Sequence, residues 1–288
     1  MPDKITKEQL ESALCAFFKS EGFQRVTTPE LIPAPVPEAH IDFFETDGKY
    51  LRPSPEIEMK IMIAQGAEKI FQIGKCHRKG EHGRLHRETF TMLEWYEKNA
   101  DYADILDFTK KMLNFVAENL FGRRIIPYGS SFIDFSSEWY IFTIHQLFAE
   151  YAGITPEEAI ESDSFETILV EKIEPRLPSD KPLVIKDYPA HYAALAQLKK
   201  SNPAVAERRE LYLGGIEIAN TYTELTDPEE NMLRFTQLSK EREKFGLPEI
   251  PFPEKFFTEI EKNFPDCAGS ALGVDRLLMI LNNEKTLS

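Results

Sequence analysis

Residues 69–96, KIFQIGKCHRKGEHGRLHRETFTMLEWY, constrain this chain more than any other stretch. Its ends read as strands and its middle as a loop. IFQI (70–73) is short and apolar, and TFTMLEWY (89–96) is rich in aromatic and β-favouring types. In an extended chain Phe90, Met92, Glu94 and Tyr96 share one face, and Thr91, Leu93 and Trp95 share the other. A carboxylate beside two aromatic rings is out of place on a plain core face. The loop between the strands carries Arg78, Lys79, His82, Arg84, His86 and Arg87 against only Glu81 and Glu88. A basic loop above a stacking ring, a carboxylate and a phenol suits a ligand with polyphosphate at one end and a cation at the other. The plainer reading is a solvated, charged hairpin.

Composition narrows the classes. The 288 residues contain no internal repeat, low-complexity tract or linker-like stretch, so a single domain spanning 1–288 is expected. No apolar run approaches the ~20 residues of a membrane span, and the N-terminus lacks the apolar segment of a signal peptide. Three widely spaced cysteines argue against a disulfide framework and for a reducing cytoplasm. The net charge is -14, and the 78–87 loop is the one dense basic cluster, which weakens a nucleic-acid partner without excluding it.

Residues 7–21 read as an amphipathic helix with Leu10, Leu14, Phe17 and Phe18 on one side, ended by Gly22. Phe23 to Thr28 reads as a strand. Pro29, Pro33, Pro35 and Pro37 then force an irregular extended segment. Glu56 to Gln65 reads as a helix starting after Pro55. Residues 101–121 form the clearest helix, with Ile105, Phe108, Met112, Phe115, Val116 and Leu120 as its apolar stripe and Gly122 as its stop. Residues 137–200 read as short helices with one strand, 183–187. Trp95, Trp139, Cys15 and Cys267 are expected in the core. Cys76, His77, His82 and His86 lack Cys-x-x-Cys spacing, which argues against zinc.

Two later stretches carry chemistry. In ERRELYLGGIEIANTYTE (207–224), Gly214-Gly215 between two β-type runs is a two-residue hairpin signal. A regular ladder would pair Leu213 with Ile216, Tyr212 with Glu217 and Glu210 with Ala219, placing Glu210, Tyr212, Glu217 and Ala219 on one face. Two close carboxylates repel unless a cation lies between them, and Mg²⁺ takes such ligands together with phosphates. The alternative is a pair of solvated strand glutamates. Glu224 falls on the opposite face of a straight strand from Glu217, so the two reach one pocket only through a bulge or turn near Asn220-Thr221. In GSALGVDR (269–276) small residues allow close approach to a ligand. Arg276 in the first turn of the following helix opposes the macrodipole, so it calls for an anion beside it or a partner carboxylate.

Taken together, these blocks resemble the catalytic domain of class II aminoacyl-tRNA synthetases of the lysyl type. Cys76-His77-Arg78-Lys79 with GRLHRETFTMLEWY resembles motif 2, GSALGVDRL resembles motif 3, Pro29 in RVTTPEL resembles the motif 1 proline at the dimer interface, and EIANTYTEL is similar to the lysyl-specific block. The chain resembles still more closely the stand-alone paralogue family, the elongation factor P (R)-β-lysine ligases, which lack the anticodon-binding barrel. Ser54-Pro55-Glu56 stands where lysyl-tRNA synthetases usually have Ala-Pro-Glu, and Ala271 where they have glycine. DYPAHYAALAQL, TELTDPEE and PDCAGSALGVDRL also look like that family.

The resemblance implies an α+β fold with a mainly antiparallel sheet flanked by helices, and a homodimer joined around Pro29. It implies an ATP- and Mg²⁺-dependent ligase that adenylates (R)-β-lysine or lysine and passes it to elongation factor P. Arg78 would hold the α-phosphate and the substrate carboxylate. His86 and Arg276 would contact the outer phosphates, and Phe90 and Arg276 would sandwich adenine. Glu210 and Glu217 would hold Mg²⁺. Glu94, Tyr96 and Glu224 would receive the lysine ammonium, with Glu56 and Asn220 at the other end and Ala271, assisted by Ser54, setting the preference for β-lysine. The chain departs from motif 2 at His77-Arg78-Lys79-Gly80, where the family has Phe-Arg-x-Glu, and Glu81 stands in for the missing acid if the loop shifts by one. Arg87-Glu88-Thr89 replaces Asn-Pro-Glu, and Thr221 replaces a common glycine. The rival readings are a truncated lysyl-tRNA synthetase and a non-catalytic lysine or nucleotide sensor.

Overall fold

A capped helix is the first element of the computed structural model, which describes residues 4–287. Helix α1 (Lys7–Ser20) starts at Thr6, which forms a reciprocal capping box with Gln9. Its Leu10, Leu14, Phe17 and Phe18 are buried as the periodicity predicts. Phe18 stacks on Phe71 at 4.6 Å and meets the Trp95 ring edge-on at 5.5 Å. Burying one such side chain contributes about 1.5–3 kcal/mol. Helix α1 therefore docks on the back of the strands that carry the site.

Eight strands form the central sheet: β1 (Gln24–Arg25), β2 (Lys69–His77), β3 (Thr89–Lys98), β4 (Tyr140–Thr143), β5 (Leu183–Lys186), β6 (Arg208–Leu213), β7 (Ile216–Thr223) and β8 (Cys267–Gly273). Their spatial order is β1-β2-β3-β8-β7-β6-β5-β4. Only the outer pairs, β1 with β2 and β5 with β4, are parallel, so the sheet is mainly antiparallel, as expected. The back face is a core in which Phe71, Leu93, Trp95, Leu211 and Leu272 meet α1, α3 (Tyr102–Phe121) and α8 (Val274–Leu281). Helix α3 has an Asp101–Asp104 capping box and ends at the left-handed Gly122.

The front face is covered unevenly. Helix α2 (Glu56–Ala64) crosses β3 and packs on the later helix Glu254–Asn263. At the β4–β5 edge a second cluster around Phe148, Phe165, Ile185 and Tyr188 closes the face. Between them lies an open depression.

Three expectations need correction. The 23–28 strand shrinks to Gln24–Arg25 at the sheet edge, because the Thr28 N–H is taken by Gln72 Oε1 and its carbonyl by Arg52. The 137–200 region holds a further sheet strand, β4, parallel to β5, and the short strand Leu198–Lys199. The third concerns the Gly-Gly hairpin. Gly214 and Gly215 both have positive φ, and Leu213 pairs with Ile216 and Tyr212 with Glu217 as predicted. The register then slips, so that Leu211 faces Ala219 and Glu210 faces Asn220, not Ala219. A bulge at Ile218 is the cause. It lets the consecutive residues Ile218 and Ala219 both enter the back core.

Candidate active site

That bulge assembles the site. It restores Glu217 and Asn220 to one face, three residues apart, and meets the requirement that Glu217 and Glu224 reach one pocket, though earlier in the strand than Asn220-Thr221. Straight across the sheet, one row then reads Gln72, Glu94, Ala271, Asn220, Glu210. The next row reads Tyr96, Gly269, Tyr222, Arg208. These rows floor a cavity of about 300 Å³. Every residue expected at the site lines it except Glu210.

One end is acidic and deeply buried. Glu94, 1% exposed, accepts hydrogen bonds from Tyr96 Oη and Ser54 Oγ, both at 2.7 Å. Burial, reinforced by Glu56, pushes its carboxyl up to about 7. Glu224 lies beside Lys60, whose Nζ is 2.5 Å from Glu224 Oε2 and 2.6 Å from Glu56 Oε1. The helical spacing of Glu56 and Lys60 builds this bridge from the first turn of α2. Burial works against the Lys60 ammonium, but Glu224 and Glu56 outweigh it and raise its pKa. Burial also raises Glu224, against the pull of Lys60. One ammonium thus serves two carboxylates while Glu94 adds a third, so this end lacks positive charge.

The other end carries cations. The Arg78 guanidinium lies 5.3 Å above the Phe90 ring and 3.6 Å from Glu81. Its buried Nε has no partner, and neither has the buried Asn220 Oδ1. Arg276 donates to the Glu217 carbonyl at 2.8 Å and to its carboxylate at 3.2 Å. It also donates to His86 Nε2 at 2.7 Å. Burial and then Arg276 lower the His86 pKa, so a neutral imidazole with Nε2 as acceptor fits the network. The Glu217 carboxylate is thus a partner of Arg276.

Glu210 ends the first row on the same face, but it does not line the cavity. Its Oε1 accepts from Arg208 at 2.7 Å, and its Oε2 accepts from Tyr188 at 2.5 Å and Tyr212 at 2.9 Å. Arg208 is itself placed over the Tyr188 and Tyr222 rings. The motif 3 glycines Gly269 and Gly273 both line the cavity. A Cβ on Gly269 would lie 2.4 Å from the Tyr96 ring, so this glycine makes room for a side chain of the site, and a Cβ on Gly273 would meet only ordinary contacts with Arg276. Cys267 is buried, but Cys15 is only half-buried.

Sequence reasoning missed Lys60, Arg208, Tyr222 and Glu38, which complete the electrostatics. Lys60 had a signal in its spacing from Glu56, and Arg208 had one in its alternation with Glu210. Glu38 had only its place in a proline-rich segment.

With this geometry in view, comparison with known proteins is informative. The family described as tRNA synthetases class II (D, K and N) matches residues 5–288. The chain is 33% identical over 292 residues to an elongation factor P–(R)-β-lysine ligase of Proteus mirabilis, covering 96% of this chain and 90% of the relative. It is 33% identical over 287 residues to the ligase of the same name from Hamiltonella defensa and 34% identical over 287 residues to that from Yersinia pestis, each covering 94% of this chain and 88% of the relative. With such agreement along nearly the whole of both chains, this protein belongs to the elongation factor P–(R)-β-lysine ligase family of class II tRNA synthetases.

Proposed function

We propose that this protein is an ATP-dependent ligase that adenylates (R)-β-lysine, or lysine, and transfers it to a lysine side chain of elongation factor P. The observation that carries the reading is the pairing of a buried, cation-deficient end at Glu94 and Glu224 with a cationic end at Arg78 and Arg276 on one sheet face. A diamino acid and a nucleoside triphosphate together supply the complementary charges.

In this reading Glu94, Tyr96 and Glu224 receive the side-chain ammonium, with Glu56 and Asn220 at the other end of the amino acid. Arg78 holds the substrate carboxylate and the α-phosphate. Phe90 and Arg276 sandwich adenine, Glu81 reads its edge, and His86 joins Arg276 on the outer phosphates. The carboxylate attacks the α-phosphate and pyrophosphate leaves. The acceptor amine then attacks the adenylate carbonyl, AMP leaves, and an amide forms. No protein nucleophile is needed, so catalysis is positioning and charge neutralisation.

Glu217 and Glu210 are the donors for Mg²⁺, which when bound would neutralise phosphate charge. They fit such an ion in one respect: burial and then the proximity of Glu210 raise the Glu217 carboxyl, a strain that a cation relieves. Glu210 must first exchange one of its hydroxyl or guanidinium partners. A homodimer joined through the exposed segment around Pro29 is part of the same proposal, as is a cytoplasmic location. Edge strand β1 is exposed beside that segment. No helix among the described residues is long and apolar enough to cross a membrane.

The deciding experiment offers purified elongation factor P and bulk tRNA side by side with radiolabelled (R)-β-lysine and ATP. Label on elongation factor P alone is expected. Label on tRNA alone would make the protein a truncated lysyl-tRNA synthetase. Absence of pyrophosphate exchange with either lysine would make it a sensor.

A further inference from the structure

Seven acidic side chains line the cavity, and five of them already have a cation of the protein's own. Glu56 and Glu224 share Lys60, Glu81 has Arg78, Glu217 has Arg276, and Asp275 has Lys7. Among the described residues the two without an ion-pair partner are Glu94 and Glu38. Glu94 is held by hydroxyls alone. Nothing above gives Glu38 a role.

Glu38 is not a stray surface acid. It follows Pro37 in the extended segment that walls the cavity. The buried guanidinium of Arg242 fixes its backbone, donating to the Glu38 carbonyl at 2.9 Å and the Ile41 carbonyl at 2.5 Å. The Glu38 N–H donates to the Val36 carbonyl at 2.9 Å. Glu38 shares the cavity lining with Arg78, Glu56 and Arg208, and the charges of these three and of His40 act on its carboxylate. The charges that act on Glu94 are those of Glu56 and Lys60. The two unpaired carboxylates thus share Glu56 but differ in their cations: Arg78 and Arg208 act on Glu38, and Lys60 acts on Glu94.

The substrate has the same plan. Lysine and β-lysine each carry two ammonium groups, one at the chain end and one within two carbons of the carboxylate. If Arg78 holds the carboxylate, the second ammonium must fall near Arg78 and away from Glu94. We infer that Glu38 is a specificity-determining residue whose carboxylate receives the second ammonium of the diamino acid, while Glu94 serves the first. This deepens the function proposed above and rests on it. A carboxylate without a partner, in a cavity wall that also holds Arg78, is well placed for such a charge-assisted hydrogen bond.

The test compares wild type, Glu38→Gln and Glu38→Asp in ATP–pyrophosphate exchange. (R)-β-Lysine is the substrate, and ε-aminocaproate, which is lysine without its second amino group, is the competitive inhibitor. Glu38→Gln should raise the KM for β-lysine on the order of 10- to 100-fold. The KM for ATP and the inhibition constant of ε-aminocaproate should stay within about twofold of wild type. Glu38→Asp keeps the charge and should recover part of the loss. Equal losses for β-lysine, ATP and ε-aminocaproate would instead make Glu38 a counter-ion that positions Arg78 and Arg208, and would overturn the inference. An unchanged β-lysine KM would overturn it as well. A wild-type protein that activates no diamino acid would remove the functional reading itself, a result distinct from either.

Discussion

At the Glu94 end of the cavity the polar side chains sit on or just past strands, on α2 or in the turn that starts it; Lys60, Glu94, Tyr96 and Glu224 are buried, and Ser54 and Glu56 half-buried. At the Arg78 end the cations sit at the root of a loop or on α8, partly exposed, and each is parked on an acid of the protein. The first region is already assembled: Tyr96, Ser54 and Lys60 hold their acids in place before any substrate arrives. The second has to trade internal ion pairs for external ones. Charge selection for the amino acid is therefore preorganised, whereas nucleotide binding is an exchange reaction and should be more sensitive to salt.

Removing Lys60 should expose this difference most sharply. Lys60→Met leaves Glu56 and Glu224 buried without their shared cation, a loss of roughly 3–5 kcal/mol. In a chain of this size that lowers Tm by on the order of 10 °C. The deficit should shrink at acid pH, where the Glu224 carboxyl, raised by burial, protonates, and grow above neutrality. Arg276→Ala, at the other end, should leave Tm nearly unchanged. Similar melting curves for Lys60→Met and wild type at pH 8 would remove the claim that the acidic end is a stability-bearing core.

Glu217→Gln probes the cationic end. It should lower pyrophosphate exchange on the order of 10²- to 10³-fold with the fold intact, since it removes a donor proposed for Mg²⁺ and loosens Arg276. Circular dichroism matching wild type together with undiminished exchange would refute that role.

The third prediction is a pH profile. Glu94 binds an ammonium best when ionised, and its carboxyl is raised from the ordinary 4.5 to about 7. Below that value kcat/KM for the diamino acid should fall about tenfold per pH unit, and above it the curve should flatten. Stability moves the other way. Between about 4.5 and 7 the folded state keeps a proton that the unfolded state has lost, so stability of the free protein falls as pH rises through this window. Saturating substrate, which supplies the missing cation, should reduce that slope. A Glu94→Gln variant that keeps the wild-type acidic limb would assign it to another group.

What could be read from the chain followed the range of the interactions. The strand pair 70–73 and 89–96, the helix 101–121 and the first two pairs of the Gly-Gly hairpin are local, and they stand where periodicity and turn chemistry put them. The bulge at Ile218 was not legible, because Ile218-Ala219 reads as ordinary strand and only the back core shows why both turn inward. Strand β4 escaped because four residues at a sheet edge carry too little pattern. Glu210 was placed in the cavity because strand register gives its face but not the partners, Arg208, Tyr188 and Tyr212, that take up its carboxylate. Lys60 carried a local signal only towards Glu56; its contact with Glu224, and that of Glu38 with Arg242, join residues far apart in sequence, where no local signal announces them.

The smallest expected effect concerns Ala271. It sits in the floor row between Glu94 on β3 and Asn220 on β7, half-buried and facing the cavity. Its methyl group therefore stands between the acid proposed for the side-chain ammonium and the amide proposed for the other end. α-Lysine carries its second amino group next to the carboxylate, whereas β-lysine carries it one carbon further along. A methyl at this point crowds the first arrangement and spares the second, at a cost on the order of 1–3 kcal/mol for the crowded ligand. That corresponds to roughly one or two powers of ten in preference. Ser54 Oγ, already bonded to Glu94, holds the neighbouring wall in place. Ala271→Gly should accordingly move adenylation towards L-α-lysine when both substrates are measured side by side, with ATP affinity unchanged. The backbone tolerates the change, since Gly269 and Gly273 already flank it on the same strand. If the ratio of the two kcat/KM values does not move, Ala271 only packs the strand, and the selector must be sought at the Glu38 wall.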